Sequence, residues 1–142
     1  VNRRVLSAAL TVPLPPEEAF RLFTARGERD WVPGWEPVFP VEAPDDTAPG
    51  TVWLTSTEEE ETTWLVASLD FPRSVSYARI TPGVRAGTVT VALAATDSGS
   101  AVTVTYDMTP LTPAAAEALD VFAADYPSVI RSWAELIAAH LA

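Results

Sequence analysis

A chain of 142 residues, 48% of them apolar, has side chains enough for one domain with a true core and too few for two. Nineteen acidic residues against nine arginines and no lysine leave a net charge of -10, which repels phosphate backbones and excludes nucleic acid as a partner. With no cysteine and one histidine, disulfides, thiolate chemistry and multi-histidine metal sites are excluded too, so no metal or other cofactor is expected.

No stretch approaches the roughly 20 uninterrupted apolar residues of a membrane span. The first ten residues, VNRRVLSAAL, are too interrupted for a signal peptide. The expected setting is therefore cytoplasmic, without stable membrane insertion. Neither a phosphate-cradling glycine loop nor a G-x-S-x-G turn occurs, and His140 stands two residues from the C-terminus, so nucleotide binding and a serine triad both lack support.

In chain order, Leu6, Ala8, Leu10 and Val12 alternate with Ser7, Ala9 and Thr11, the two-residue period of a strand with one buried face. Pro13, Pro15 and Pro16 end it. Pro15 and Pro16 suit the first turn of a helix, where a missing N–H costs nothing, and Glu17 and Glu18 favour the positive end of its dipole. PPEEAFRLFT is thus a short helix burying Phe20 and Phe23. GERDWVPGWEP follows as a loop with Trp31 and Trp35 around a Pro-Gly pair, each tryptophan either a plug on the core or a wall at the mouth of a cavity; Trp35 is expected to be the plain core residue. VFPVEAPDDTAPG is loop with one edge strand at most.

From Thr51 to Met108 the runs TVWLTST, TTWLVASLD, SVSYARI, GTVTVALAAT and AVTVTYDM are rich in Val, Thr, Trp and Tyr and are divided by turn residues, so sequential hairpins form an antiparallel sheet. One face carries Val102, Val104, Tyr106 and Met108; by the same alternation Val75, Tyr77 and Arg79 share a face, as do Val89, Val91 and Leu93, and as do Thr62, Trp64, Val66 and Ser68. Leu65, Ala67 and Leu69 offer an almost equally apolar alternative for that last strand. Glu58 to Glu61 read as a solvated hairpin tip, since consecutive carboxylates alternate in direction and cannot converge on one cation. Residues 113 to 142 place Leu119, Phe122, Tyr126, Val129, Trp133, Leu136 or Ile137, and His140 at three-and-four spacing, an amphipathic helix in which Pro127 predicts a bend or break near Tyr126. His140 is expected to cap its end.

The stretches PPEEAFRLFTARGERDWVPGWEP, TTWLVASLDFPRSVSYARITPG and VTVTYDMTPLTPAAAEALDVF, with Trp133 beyond them, are where the chain resembles the START-like, or SRPBCC, helix-grip superfamily, which includes polyketide cyclase/dehydrase-type and chaperone-activator-type domains. The resemblance spans essentially residues 1–142 as a single domain. It implies an α+β fold in which a strongly curved antiparallel sheet of six or seven strands wraps a long C-terminal helix, with two short helices after the first strand. It also implies an internal cavity between sheet and helix.

The side chains expected to line that cavity are Trp31, Trp64, Tyr77, Arg79, Val91, Val104, Tyr106, Phe122, Tyr126 and Trp133. Arg79 is the informative one, for a guanidinium in an apolar cavity requires an acceptor. Either it anchors a ligand together with Tyr77 and Tyr106, or it pairs with an acid such as Asp107 or Glu61, or it snorkels into water. Asp30 and Glu36 are the carboxylates near the mouth. The role expected first is binding or carriage of a small hydrophobic molecule, such as a lipid or polycyclic compound, by a monomer or homodimer, with no residue assigned as catalytic. The alternatives are a polyketide aromatase/cyclase-like enzyme, which is to say a metal-free cyclase/dehydrase-type lyase, and a chaperone-activator-like interaction module.

Overall fold

A computed structural model describes residues 2–142. Strand β1 (Arg4–Val12) buries Leu10 and Val12 while Ser7, Ala9 and Thr11 face outward, as the alternation requires. Helix α1 (Pro16–Ala19) starts on Pro16 with Glu17 and Glu18 in its first turn, and tightens at once into a 3-10 turn, Phe20–Phe23. The predicted single helix is thus one α-turn and one 3-10 turn, and a second 3-10 turn, Gly27–Asp30, takes the place of another helix. Phe20, Leu22 and Phe23 are buried, which explains the tightening: three apolar side chains in four residues must all reach one core.

The remaining strands are β2 (Val52–Ser56), β3 (Glu61–Asp70), β4 (Ser74–Thr81), β5 (Arg85–Thr96) and β6 (Gly99–Pro110). They pair in the order β1-β6-β5-β4-β3-β2, antiparallel throughout, giving six strands. Residues 38–50 add a lone bridge, Val38 to Leu54, that covers part of the β2 edge. Arg26 ties this loop down, its N–H donating to Asp46 Oδ2 and its guanidinium carbon lying 4.4 Å from the centroid of Phe39.

The predicted inward face is correct for Val75, Tyr77, Val89, Val91, Leu93, Val102, Val104 and Met108, all buried. On β3 it holds for Thr62, Trp64 and Val66 and then fails. A bulge between Val66 and Ser68 shifts the register, so Leu69, not Ser68, pairs with Val75 and packs against the core.

Helix α2 (Pro113–Leu141) lies against this face, its N-terminus capped by Thr112 Oγ1, which accepts from the Ala115 N–H. It runs unbroken through Pro127, contrary to a break near Tyr126. The neighbouring Tyr126 hydroxyl donates to the Val104 carbonyl at 2.6 Å and fixes the turn to β6 where the helix loses a backbone bond. Ala115, Leu119, Tyr126, Ile130 and Ile137 form the buried stripe, whereas His140 is exposed in the last turn. Among the described residues no helix is long and apolar enough to cross a membrane.

Candidate functional site

Strand register arranges the inward side chains in rows across the sheet. One row runs Trp53, Trp64, Arg79, Gly87, Met108, each paired with the next. Its middle is unlike the apolar row Val66, Tyr77, Val89, Tyr106 on one side of it. Gly87 contributes no side chain, and a Cβ there would meet the Asp107 carbonyl oxygen at 2.0 Å, so the chain leaves the sheet bare between Arg79 and Met108. Arg79 and Met108, on either side of Gly87, line a cleft of about 300 Å³ together with Tyr106, Leu119 and Phe122, with Glu60 and Arg85 beside Arg79 at its polar end. A second cleft, of about 240 Å³, lies under Trp35 and Trp64 and has Thr55, Ser56, Thr57 and Thr62 along its wall. Arg79 and Glu60 border both.

Arg79 makes no ion pair with any carboxylate among the described residues, and its Nε is buried without a hydrogen-bond partner. The acids that sequence offered as partners are used elsewhere or turned away: Asp107 is held by Arg3, and Glu61 is exposed. The guanidinium carbon lies 5.6 Å from the Trp64 ring centroid, a cation–π contact that supplies attraction but no acceptor. Burial lowers the pKa of Arg79, and the nearby Tyr106 and Glu60 act against that fall. The other buried side-chain polar atom lacking a partner among the described residues is the Trp53 indole Nε1, in the same row. Both orphans are donors, and the row therefore demands an acceptor.

The three tyrosines divide sharply. Tyr77 donates to the Phe23 carbonyl at 2.8 Å and Tyr126 to that of Val104, so neither hydroxyl is free for a ligand. Tyr106 donates to no protein acceptor among the described residues and stands edge-on to Phe122 and Tyr126 at the cleft wall. Burial pushes its pKa up to about 12 against the pull of Arg79, so it is a neutral donor at any ordinary pH.

Of the ten predicted lining residues, Arg79, Tyr106 and Phe122 meet at the first cleft and Trp64 joins Arg79 at the second. Tyr77, Val91, Val104 and Tyr126 are packed in the core. Trp31 and Trp35 exchange the positions expected of them. Trp31 is only 5% exposed, donates from Nε1 to the Leu22 carbonyl at 2.7 Å, and sits edge-on to Trp133 at 5.6 Å, filling the space between the first loop and α2. Trp35 is half-buried, edge-on to Trp64, and walls the second cleft. The reason is chain path: the Gly27–Asp30 turn drives residue 31 inward, and Pro33-Gly34, with Gly34 at φ 75°, carries residue 35 out to the rim.

Sequence reasoning missed Glu60, Arg85, Met108 and Leu119. Met108 and Leu119 were recognised only as core, and Glu60 was dissolved into the EEEE tip. Thr57 Oγ1 accepts from the N–H groups of Glu59 and Glu60, and the resulting turn directs Glu60 inward to Arg85 while Glu58, Glu59 and Glu61 stay in solvent. Glu28 was missed as well. Asp30 and Glu36 are exposed, Glu36 lying 3.8 Å from Arg29, whereas burial pushes the Glu28 carboxyl up to about 8. Its negative form adds to the rise in both Tyr77 and Tyr106, which burial dominates. A larger depression of about 840 Å³ is walled by the single segment from Pro40 to Val52 and includes none of the residues at the first two clefts. No group of three metal-ligating side chains occurs among the described residues.

No family model and no curated protein matches the chain. Solved structures match in fold. Protein MLL2253 from Mesorhizobium loti has a TM-score of 0.69 at 17% identity, over 96% of this chain and 98% of its own. DynU16, a protein in the dynemicin biosynthetic locus, has a TM-score of 0.68 at 13% identity over 96% of this chain, which spans 46% of DynU16. CalU16 from Micromonospora echinospora has a TM-score of 0.63 at 10% identity, over 96% of this chain and 80% of that one. At these identities the likeness is one of fold, a curved antiparallel sheet gripping a long C-terminal helix.

Proposed function

We propose that the chain is a START-like, SRPBCC-type domain that binds a small, largely apolar molecule between the sheet and α2, with a carbonyl or carboxylate of the ligand against Arg79 and Tyr106. The observation that carries this reading is Arg79, half-buried, paired with no carboxylate among the described residues and with its Nε buried and unpartnered, at the polar end of an apolar cleft of about 300 Å³. A partly buried cation without a counter-charge gains from an acceptor that repays its desolvation. Leu119, Phe122 and Met108 supply the apolar surface, and the free Tyr106 hydroxyl supplies a second donor. The likeness in fold to DynU16 is in keeping with a ligand from small-molecule biosynthesis.

A second reading is a cyclase/dehydrase-type lyase, for which Glu28, its carboxyl pushed up to about 8 by burial, is the candidate acid–base group; it lines neither cleft, so the binding reading stands first. In that reading Arg79 and Tyr106 would polarise a ligand carbonyl.

The test is binding of a neutral dye, N-phenyl-1-naphthylamine, and an anionic one, 1-anilinonaphthalene-8-sulfonate, followed through tryptophan quenching. Saturable uptake of both is expected, with Arg79→Ala weakening the anionic dye about tenfold more than the neutral one. Failure of both dyes to bind at high concentration overturns the proposal.

A further inference from the structure

The junction of the two clefts holds a third charged side chain whose placement goes beyond what an Arg79 anchor needs. Arg85 follows the turn at Thr81–Val84 and faces the same way as Arg79, two positions along the paired strands. It donates to both Glu60 oxygens, at 2.8 and 3.2 Å, and the two side chains are only 17% and 33% exposed. This fork holds the Glu60 pKa below the usual carboxylate range, so the carboxylate is charged at neutral pH. Glu60 therefore compensates Arg85 and leaves Arg79 uncompensated: two guanidiniums and one carboxylate at the meeting of the clefts carry a single net positive charge. Elsewhere the chain is strongly acidic.

We propose that Glu60 sets the charge of the ligand. The site takes a monoanion, an aromatic or polycyclic carboxylate or enolate, with its rings between Met108, Leu119 and Phe122 and its anionic group at Arg79. It discriminates against a dianion such as a phosphate monoester, whose second charge meets the Glu60 carboxylate instead of Arg85. The second cleft, which shares Arg79 and Glu60 and is lined by Thr55, Ser56, Thr57 and Thr62, receives whatever part of the ligand extends past that group. This inference rests on the reading in which Arg79 is the ligand anchor.

Three naphthalenes of one ring size and different head groups test it: 2-acetylnaphthalene, neutral; 2-naphthoate, singly charged; and 2-naphthyl phosphate, close to doubly charged at pH 7.5. The wild-type protein is expected to bind 2-naphthoate at least about tenfold more tightly than the phosphate. Glu60→Gln, which keeps an acceptor for Arg85 and removes the charge, should shrink that ratio about tenfold by strengthening the phosphate, with the ketone unchanged. Glu60→Asp retains the charge and should retain the preference, which separates charge from any loss of the turn. If Glu60→Gln leaves the ratio as it was, or moves all three ligands together, the charge-setting role is overturned while the apolar site stands. If neither the ketone nor 2-naphthoate binds the wild-type protein, the ligand site itself falls and the inference falls with it.

Discussion

Trp64 and Arg79 stand directly opposite one another on β3 and β4, the guanidinium carbon 5.6 Å from the indole centroid. The indole holds the cation without neutralising it, so Arg79 is attached to the wall and still open to an acceptor. Such an arrangement trades stability for binding. Arg79→Leu is therefore expected to leave the melting temperature of the unliganded protein unchanged or higher, and to abolish any preference for anionic over neutral ligands. A clear drop in melting temperature would show that the guanidinium is structural.

The three tyrosines give a contrast within one experiment. Tyr77→Phe and Tyr126→Phe each remove a hydroxyl that satisfies a buried carbonyl, and each should cost about 1–1.5 kcal/mol in chemical denaturation with ligand affinity intact. Tyr106→Phe removes a hydroxyl with no acceptor among the described residues; it should leave stability within about 0.5 kcal/mol and weaken a carbonyl-bearing ligand severalfold. The reverse pattern, with Tyr106 the stabilising member, would contradict the assignment of the cleft.

Trp31 and Trp35 should differ in the same way. Trp31→Ala opens a void against Phe23 and Trp133 and orphans the Leu22 carbonyl, a loss of about 3–5 kcal/mol. Trp35→Ala removes a half-buried wall and the Nε1 bond to the Ala25 carbonyl, and should cost about 2–3 kcal/mol. Comparable losses from the two would mean that Trp35 is as much a core residue as Trp31.

Glu28 makes stability depend on pH in a direction opposite to the ion-paired acids. Its folded pKa, about 8, is above its ordinary value of 4.5, so between those values the native state holds a proton that the unfolded chain releases. Stability from this group is full below about 4.5 and is lost as pH rises through about 8. The melting temperature should accordingly rise as pH falls from 8.5 towards 5, and Glu28→Gln should flatten that slope. Below about pH 4.5 the sign reverses for other groups: Asp107 with Arg3 and Glu60 with Arg85 have lowered pKa values, and their contribution is lost as they protonate. An unchanged slope in Glu28→Gln would place the titration elsewhere.

The strands, their inward faces and the span of α2 were legible in the sequence because they rest on local periods, two residues in a strand and nearly four in a helix, that repeat often enough to survive single exceptions. The exceptions mark where a local period cannot see. The bulge at Val66–Ser68 is set by pairing with β4, and the continuity of α2 through Pro127 is accompanied by a contact from Tyr126 to a strand more than twenty residues away.

Composition and order alone determined that this chain carries a run of antiparallel strands followed by a long amphipathic helix, and that it has no thiolate or multi-histidine cluster, since both follow from which residues are present and how they alternate. Only the tertiary structure decided which tryptophan fills the core and which one walls a cleft, which glutamate of four consecutive ones turns inward, and that no carboxylate among the described residues pairs with Arg79. Those outcomes depend on distances between strands far apart in sequence, and the energy of a charge is fixed by what surrounds it in space.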